Sequence, residues 1–152
     1  MKLDQFLRDR HIPFEQVGHQ RAFTAHGVAQ CLHVPDQEVA KTVVLRAPRG
    51  YMLAVLPADR RIDLDRMRTE LGGEPIEMAC EPEMEQLFPD CESGAVPPFG
   101  SLYRLPTIVD ASLAADDRIV FEAQCHDRAI RMNYRDFAAL EHPRIGHFAQ
   151  PC

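Results

Sequence analysis

A mixed α+β fold is what this sequence predicts, and three observations predict it. Apolar residues recur at helical spacing in some segments and alternate in others. The two kinds of segment are interspersed without a regular strand–helix–strand rhythm, which argues against a doubly wound sheet. Two β-rich runs flank a short glycine turn, the mark of an antiparallel hairpin. With 152 residues, 45% hydrophobic and 26% charged, the chain is expected to form one domain over 1–152 with a real core.

The elements follow in order. In LDQFLRDRHI, Leu3, Phe6, Leu7 and Arg10 fall at helical spacing, and Pro13 closes the helix. FEQVG is a short strand. Thr24 is suited to cap a second helix, AHGVAQCLHV, whose apolar face carries Val28, Cys31 and Leu32 and which Pro35 ends. The hairpin lies in EVAKTVVLRAPRGYMLAVLPA, with Gly50 at its turn. Asp63 can cap LDRMRTELGG, which Gly72 and Gly73 stop. PIEMA is a strand, and EPEMEQLF a short helix with Pro82 at its start. LPTIVD, DRIVFEAQ and AIRMN read as strands, YRDFAAL as the last helix, and 142–152 as a loose tail.

Composition narrows the function. A formal charge of −6 argues against coating nucleic acid by bulk electrostatics, so DNA is not an expected partner. No apolar run reaches the roughly 18 residues of a membrane span, and the charged start is no secretory signal. A cytoplasmic protein is expected. The five cysteines form no C-x-x-C pair, and His19, His26, Cys31 and His33 fit no zinc spacing, so neither metal nor cofactor is expected. Walker, dinucleotide-binding and G-x-S-x-G signatures do not occur.

Two places remain where chemistry could sit. Strand alternation puts Lys41 on one face with Val39, Val43 and Leu45, and a cation there must find an anion or reach water at the strand's edge. The chain uses arginine fifteen times and lysine twice, and lysine is the compact point charge that fits a narrow site. The other place is ESGAVPPFG, residues 92–100. Pro97 and Pro98 stiffen it, and Gly94 and Gly100 permit turns or close backbone approach. It is either a rigid connector or a segment whose backbone carbonyls and amides are its working groups.

With FTAHGVAQCLHV, EVAKTVVLRA, LFPDCESGAVPPFG and AIRMNYRDF taken together, the chain resembles the YbaK/prolyl-tRNA-synthetase-associated editing domains. Lys41 in VAKT matches the family lysine, and Gly94 to Pro98 its Gly-x-x-x-Pro loop. The fold the resemblance implies is a mixed, barrel-like sheet flanked by helices. The activity it implies is deacylation of tRNA carrying a small wrong amino acid, foremost alanine on proline tRNA with serine, threonine, cysteine or 2-aminobutyrate close behind, acting in trans on the tRNA acceptor end with a synthetase as a further partner. Lys41, Gly94 and Pro98 are the implied catalytic positions. Phe23, Val28, Leu32, Thr42, Val43, Pro97, Phe99, Gly100 and Ser101 are the implied substrate contacts. His126 joins them as first choice for a polar pocket residue, with Asp127 and Arg128 as open alternatives. The alternative function is a binding module for an aminoacyl-adenosine, a nucleotide or a synthetase without turnover. A thiol or metal hydrolase built on Cys31 ranks third.

Overall fold

The computed structural model describes residues 2–152. The chain opens with α1 (Leu3–Asp9), β1 (Glu15–Gly18) and α2 (Ala25–Leu32). The hairpin follows as β2 (Ala40–Ala47) and β3 (Gly50–Pro57), then β4 (Arg60–Ile62), α3 (Leu64–Glu70), β5 (Glu77–Met78) and α4 (Glu81–Leu87). After the loop come β6 (Thr107–Asp110), α5 (Ala111–Ala114), β7 (Arg118–Glu122), β8 (Arg128–Asn133), α6 (Tyr134–Glu141), β9 (Arg144–Gly146) and β10 (Ala149–Pro151).

Local chemistry sets several of these boundaries. The Thr24 hydroxyl accepts from Gly27 N at 3.0 Å and starts α2. Asp63 does the same for α3, accepting from the amides of Asp65 and Arg66. Pro82 occupies the first turn of α4, where no amide hydrogen is needed.

Two open sheets and a strand pair make up the β-structure among the described residues. β5-β2-β3-β6-β9 is mixed, with β3-β6 and β6-β9 parallel; β1-β8-β7 is antiparallel; β10 pairs with β4. A single parallel bridge, Val39 to Val120, joins the two sheets. None of the sheets closes on itself, so the barrel-like element of the expectation becomes two sheets leaning together.

The principal core lies between these layers and gathers Leu3, Phe6, Leu7, Phe99, Phe121, Ile130 and Phe137. Phe99 stands at its centre, with ring centroids 6.0, 5.5 and 5.3 Å from Phe6, Phe121 and Phe137. At roughly 1.5–3 kcal/mol for each large apolar side chain fully buried, this cluster supplies much of the fold's driving force.

The segment 142–152, expected to hang loose, is instead tied down by β9 and β10. Asp110 Oδ1 accepts from the amides of Phe148 and Ala149 at 2.8 and 2.9 Å, and Phe148 is fully buried. Phe148 supplies an apolar anchor in a stretch otherwise rich in polar residues and proline. Among the described residues no helix is long and apolar enough to cross a membrane.

Candidate active site

β2 pairs with β3 along its whole length, but β5 covers its other edge only at Leu45 and Arg46. The edge before that point therefore faces α2 and the end of β7. A cavity of about 50 Å³ opens there, lined by Phe23, Thr24, Ala25, Val28, Val39, Lys41, Thr42, Gly94 and Glu122. The hairpin strand, the capped helix and the glycine loop, far apart in sequence, meet at this one place.

Lys41 is half-buried and makes no hydrogen bond or ion pair among the described residues. The parallel bridge at Val39 and Val120 sets Lys41 and Glu122 two steps further along their strands, at matching register. No ion pair joins them among the described residues.

Gly94 takes φ +83°, a left-handed conformation that favours glycine. Its loop is tied on both sides. Glu92 N donates to Gln124 O at 2.9 Å, and Ala95 N to Glu92 O at 3.0 Å. The Glu92 carboxylate accepts from Arg21 at 2.9 Å and from the His126 amide at 3.0 Å. Arg21, foremost, and that amide hold the Glu92 carboxyl below the ordinary range.

His126 braces the loop from beneath. Its ring is buried, its Nε2 lies 2.5 Å from Ser93 O, and its ring centroid is 4.9 Å from that of Phe23. A carbonyl only accepts, so Nε2 carries a proton. Nδ1 lies 3.1 Å from Glu122 Oε2, out of alignment for a good hydrogen bond. Burial pushes the Glu122 carboxyl up to about 7, partly opposed by His126. Glu122 Oε1 and Thr42 Oγ1 are buried with no hydrogen-bond partner.

The structure brings Phe23, Val28, Lys41, Thr42 and Gly94 together on one cavity and sets His126 against its loop. Asp127 and Arg128 are exposed and line a different hollow, with Lys2 and Gln16. The remaining expected contacts lie elsewhere. Phe99 is fully buried in the principal core, where its large apolar ring packs against Phe6, Phe121 and Phe137. Gly100 is packed so closely that a Cβ would come within 2.3 Å of Leu105 O, and the Ser101 hydroxyl donates to Glu141. Pro97 and Pro98 are buried and hold the loop's course, outside the cavity wall. Val43 packs with Leu45 and Leu56 behind the hairpin, and Leu32 sits behind Val28.

Thr24, Ala25, Val39 and Glu122 were not foreseen. For Glu122 a signal existed: it alternates with Val120 on a strand whose neighbours are buried, and a carboxylate on an inward face needs a reason. Cys31, on α2 itself, is half-buried and does not line the cavity.

A capped helix, a lysine unpartnered among the described residues and a glycine loop thus surround one small cavity. The chain belongs to the aminoacyl-tRNA editing domain family, whose model matches residues 19–140. Over 152 aligned residues it is 25% identical to the multifunctional Ser/Thr-tRNA deacylase ProXp-y of Escherichia coli (strain K12), a match covering 97% of this chain and 90% of that protein. It is 30% identical over 101 residues to the proline–tRNA ligase of Exiguobacterium sibiricum, covering 65% of this chain and 18% of the ligase. Among solved structures, a candidate trans-editing enzyme for prolyl tRNA synthetase superposes with a TM-score of 0.85 at 22% identity, over 97% of this chain and 94% of that one. A hypothetical protein superposes with a TM-score of 0.89 at 20% identity, over 99% of this chain and 100% of the other. These two structures establish likeness of fold.

Proposed function

We propose that this protein is a trans-editing deacylase, with the deacylase domain spanning the described chain. It hydrolyses the ester joining a small noncognate amino acid to the terminal adenosine of tRNA. The observation that carries this is the meeting of Lys41, without a partner among the described residues, and the Gly94 loop on one cavity the size of a small side chain. A cavity of about 50 Å³ admits only a small acyl side chain; alanine on proline tRNA is the first substrate expected, and serine and threonine, named for the Escherichia coli relative, differ from it by few atoms.

Few side chains are asked to do chemistry. The loop backbone at Gly94 orients the ester and a water, and the vicinal ribose hydroxyl of the substrate assists the attack. The water oxygen bonds to the acyl carbon, the bond to the ribose oxygen breaks, and that oxygen takes up a proton. Positioning of this kind is worth roughly 7–11 kcal/mol. Lys41 holds the phosphate or ribose end, a contact of about 4 kcal/mol at an effective dielectric near 20. That anchors one end of a tRNA without a basic surface, and a synthetase delivering the tRNA would supply the remaining affinity.

The test is amino-acid release from a panel of mischarged tRNAs. Wild type is expected to turn over one or more small acyl groups. Lys41→Ala should lose most of that rate, roughly 10- to 1,000-fold, with an unchanged circular dichroism spectrum. Full activity in Lys41→Ala refutes the assignment, and binding of a nonhydrolysable aminoacyl-adenosine without turnover of any substrate favours a binding module.

A further inference from the structure

The His126 ring is 4% exposed and meets the glycine loop through one polar atom, Nε2, at 2.5 Å from Ser93 O. That contact fixes more than a carbonyl. The Ser93–Gly94 peptide is trans and planar, so its N–H points opposite to its C=O. With Ser93 O turned onto His126, the Gly94 N–H is turned away from the ring. Gly94 lines the cavity, and its amide donates to no group among the described residues. Glycine accepts either sign of φ, so the peptide plane before it is free to flip unless something holds it. The bond to His126 is what holds it.

The bond exists only while the proton sits on Nε2, because Ser93 O only accepts. A neutral imidazole has one such proton, and Nδ1 competes for it. Nδ1 faces Glu122 Oε2 at 3.1 Å. A protonated Glu122 can offer Nδ1 its own proton, whereas an ionised one draws the ring proton across to Nδ1. Nε2 would then set a lone pair against Ser93 O, and the plane would be released. Burial, opposed by His126, raises the Glu122 carboxyl to about 7, so both of its forms are within reach of ordinary pH.

Other charged groups surround the pair. Glu92 accepts from His126 N at 3.0 Å and is itself paired with Arg21. Lys41 lines the same cavity as Glu122. His19 and Arg21 belong to the segment whose Ala22 amide donates to His126 O at 3.0 Å, and Asp127, next in the chain, is exposed.

We infer that His126 is a positioning residue for deacylation: its Nε2–H holds the Ser93–Gly94 peptide so that the Gly94 N–H is presented to the ester carbonyl, and Glu122 decides which ring nitrogen carries the proton. The inference rests on the deacylase assignment. His126 does not line the cavity, and no bond forms or breaks at it.

The experiment follows release of one small acyl group from tRNA between about pH 6 and about pH 9, with nitrogen NMR of the His126 ring over the same range. Each rate is divided by the spontaneous rate in the same buffer. In wild type the proton should sit on Nε2 at the acid end and on Nδ1 at the alkaline end, with the rate ratio falling about 10- to 100-fold between them. Glu122→Gln, whose amide nitrogen can donate to Nδ1 at every pH, should keep the proton on Nε2 and lose that alkaline fall. A fall caused by the substrate's own amine would persist in both proteins. His126→Phe keeps a ring against Phe23 and removes the donor, so kcat should drop about 10- to 100-fold with KM little changed. His126→Gln, which can donate to Ser93 O, should recover at least about fivefold of that loss. A ring proton that stays put in wild type, an identical alkaline fall in Glu122→Gln, or full kcat in His126→Phe overturns the inference and leaves deacylation standing. If no ester is turned over, the deacylase assignment itself falls, while the NMR still decides whether Glu122 governs the His126 proton.

Discussion

Replacing Gly94 with alanine isolates the backbone's part in the proposed reaction. Gly94 sits at φ +83°, and an added Cβ would meet only His126 Cε1, at 3.6 Å, an ordinary van der Waals contact. The methyl group therefore clashes with nothing, and the penalty is conformational, about 1–2 kcal/mol for an L-residue in the left-handed region. The chain can relieve that strain by rotating the loop, and a displacement near 1 Å at a reacting centre costs about 10²-fold in rate. We expect Gly94→Ala to lose about 1–2 kcal/mol in urea denaturation and about a hundredfold in deacylation. Gly50→Ala is the matched control: Gly50 has φ +137° with open space around it, at the hairpin end about 20 Å along the strand from Lys41. That variant should lose stability and keep its rate. Gly100→Ala gives the opposite extreme, since its Cβ would strike Leu105 O at 2.3 Å and Thr107 Oγ1 at 2.4 Å, and it should fail to fold. If Gly94→Ala loses stability yet deacylates as fast as wild type, the loop is only a connector.

Further predictions concern stability. The Glu122 carboxyl, raised by burial to about 7 from an ordinary 4.5, binds more protons folded than unfolded between those values, so its contribution falls as pH rises through that window. Glu122→Gln should match wild type in urea at pH near 5 and exceed it by about 1–3 kcal/mol near pH 8; equal stability at both would contradict the burial argument. Asp110→Ala leaves the amides of Phe148 and Ala149 unpaired and should cost about 2–5 kcal/mol, with limited proteolysis releasing residues 144–152 first. Phe99→Ala should cost about 3–5 kcal/mol in thermal or urea unfolding, whereas a substrate contact would have shown itself in KM at constant stability.

The sequence was most legible where one residue type has one local job. Thr24 and Asp63 cap helices, and Gly50 turns a hairpin, because each requirement involves neighbours in the chain. The meeting of Lys41 with the Gly94 loop was legible through the family resemblance, since no spacing brings residues 41 and 94 together. Alternation with Val120 marks Glu122 as inward-facing, but what it faces is set by the bridge at Val39 and Val120, a contact between two sheets that no local pattern carries. Phe99, Gly100 and Ser101 were assigned to the substrate by adjacency to the loop, yet three consecutive side-chain positions cannot all face one hollow. The run 142–152 looked loose because β9 and β10 are short and one ends in proline, and their hold comes from Asp110 more than thirty positions earlier.

The parallel strand β9 gives the molecule an order of assembly. β6 gains its second neighbour only when residues 144–146 lie beside it, and Phe148 joins Leu45, Leu56 and Ile108 in their apolar cluster only after that. During synthesis those residues are still inside the ribosome after Ile108 and Val109 have emerged. A nascent chain must therefore keep one flank of its main sheet bare for a time, a period in which a chaperone, or a second unfinished copy, has the same hydrogen-bonding edge to grasp.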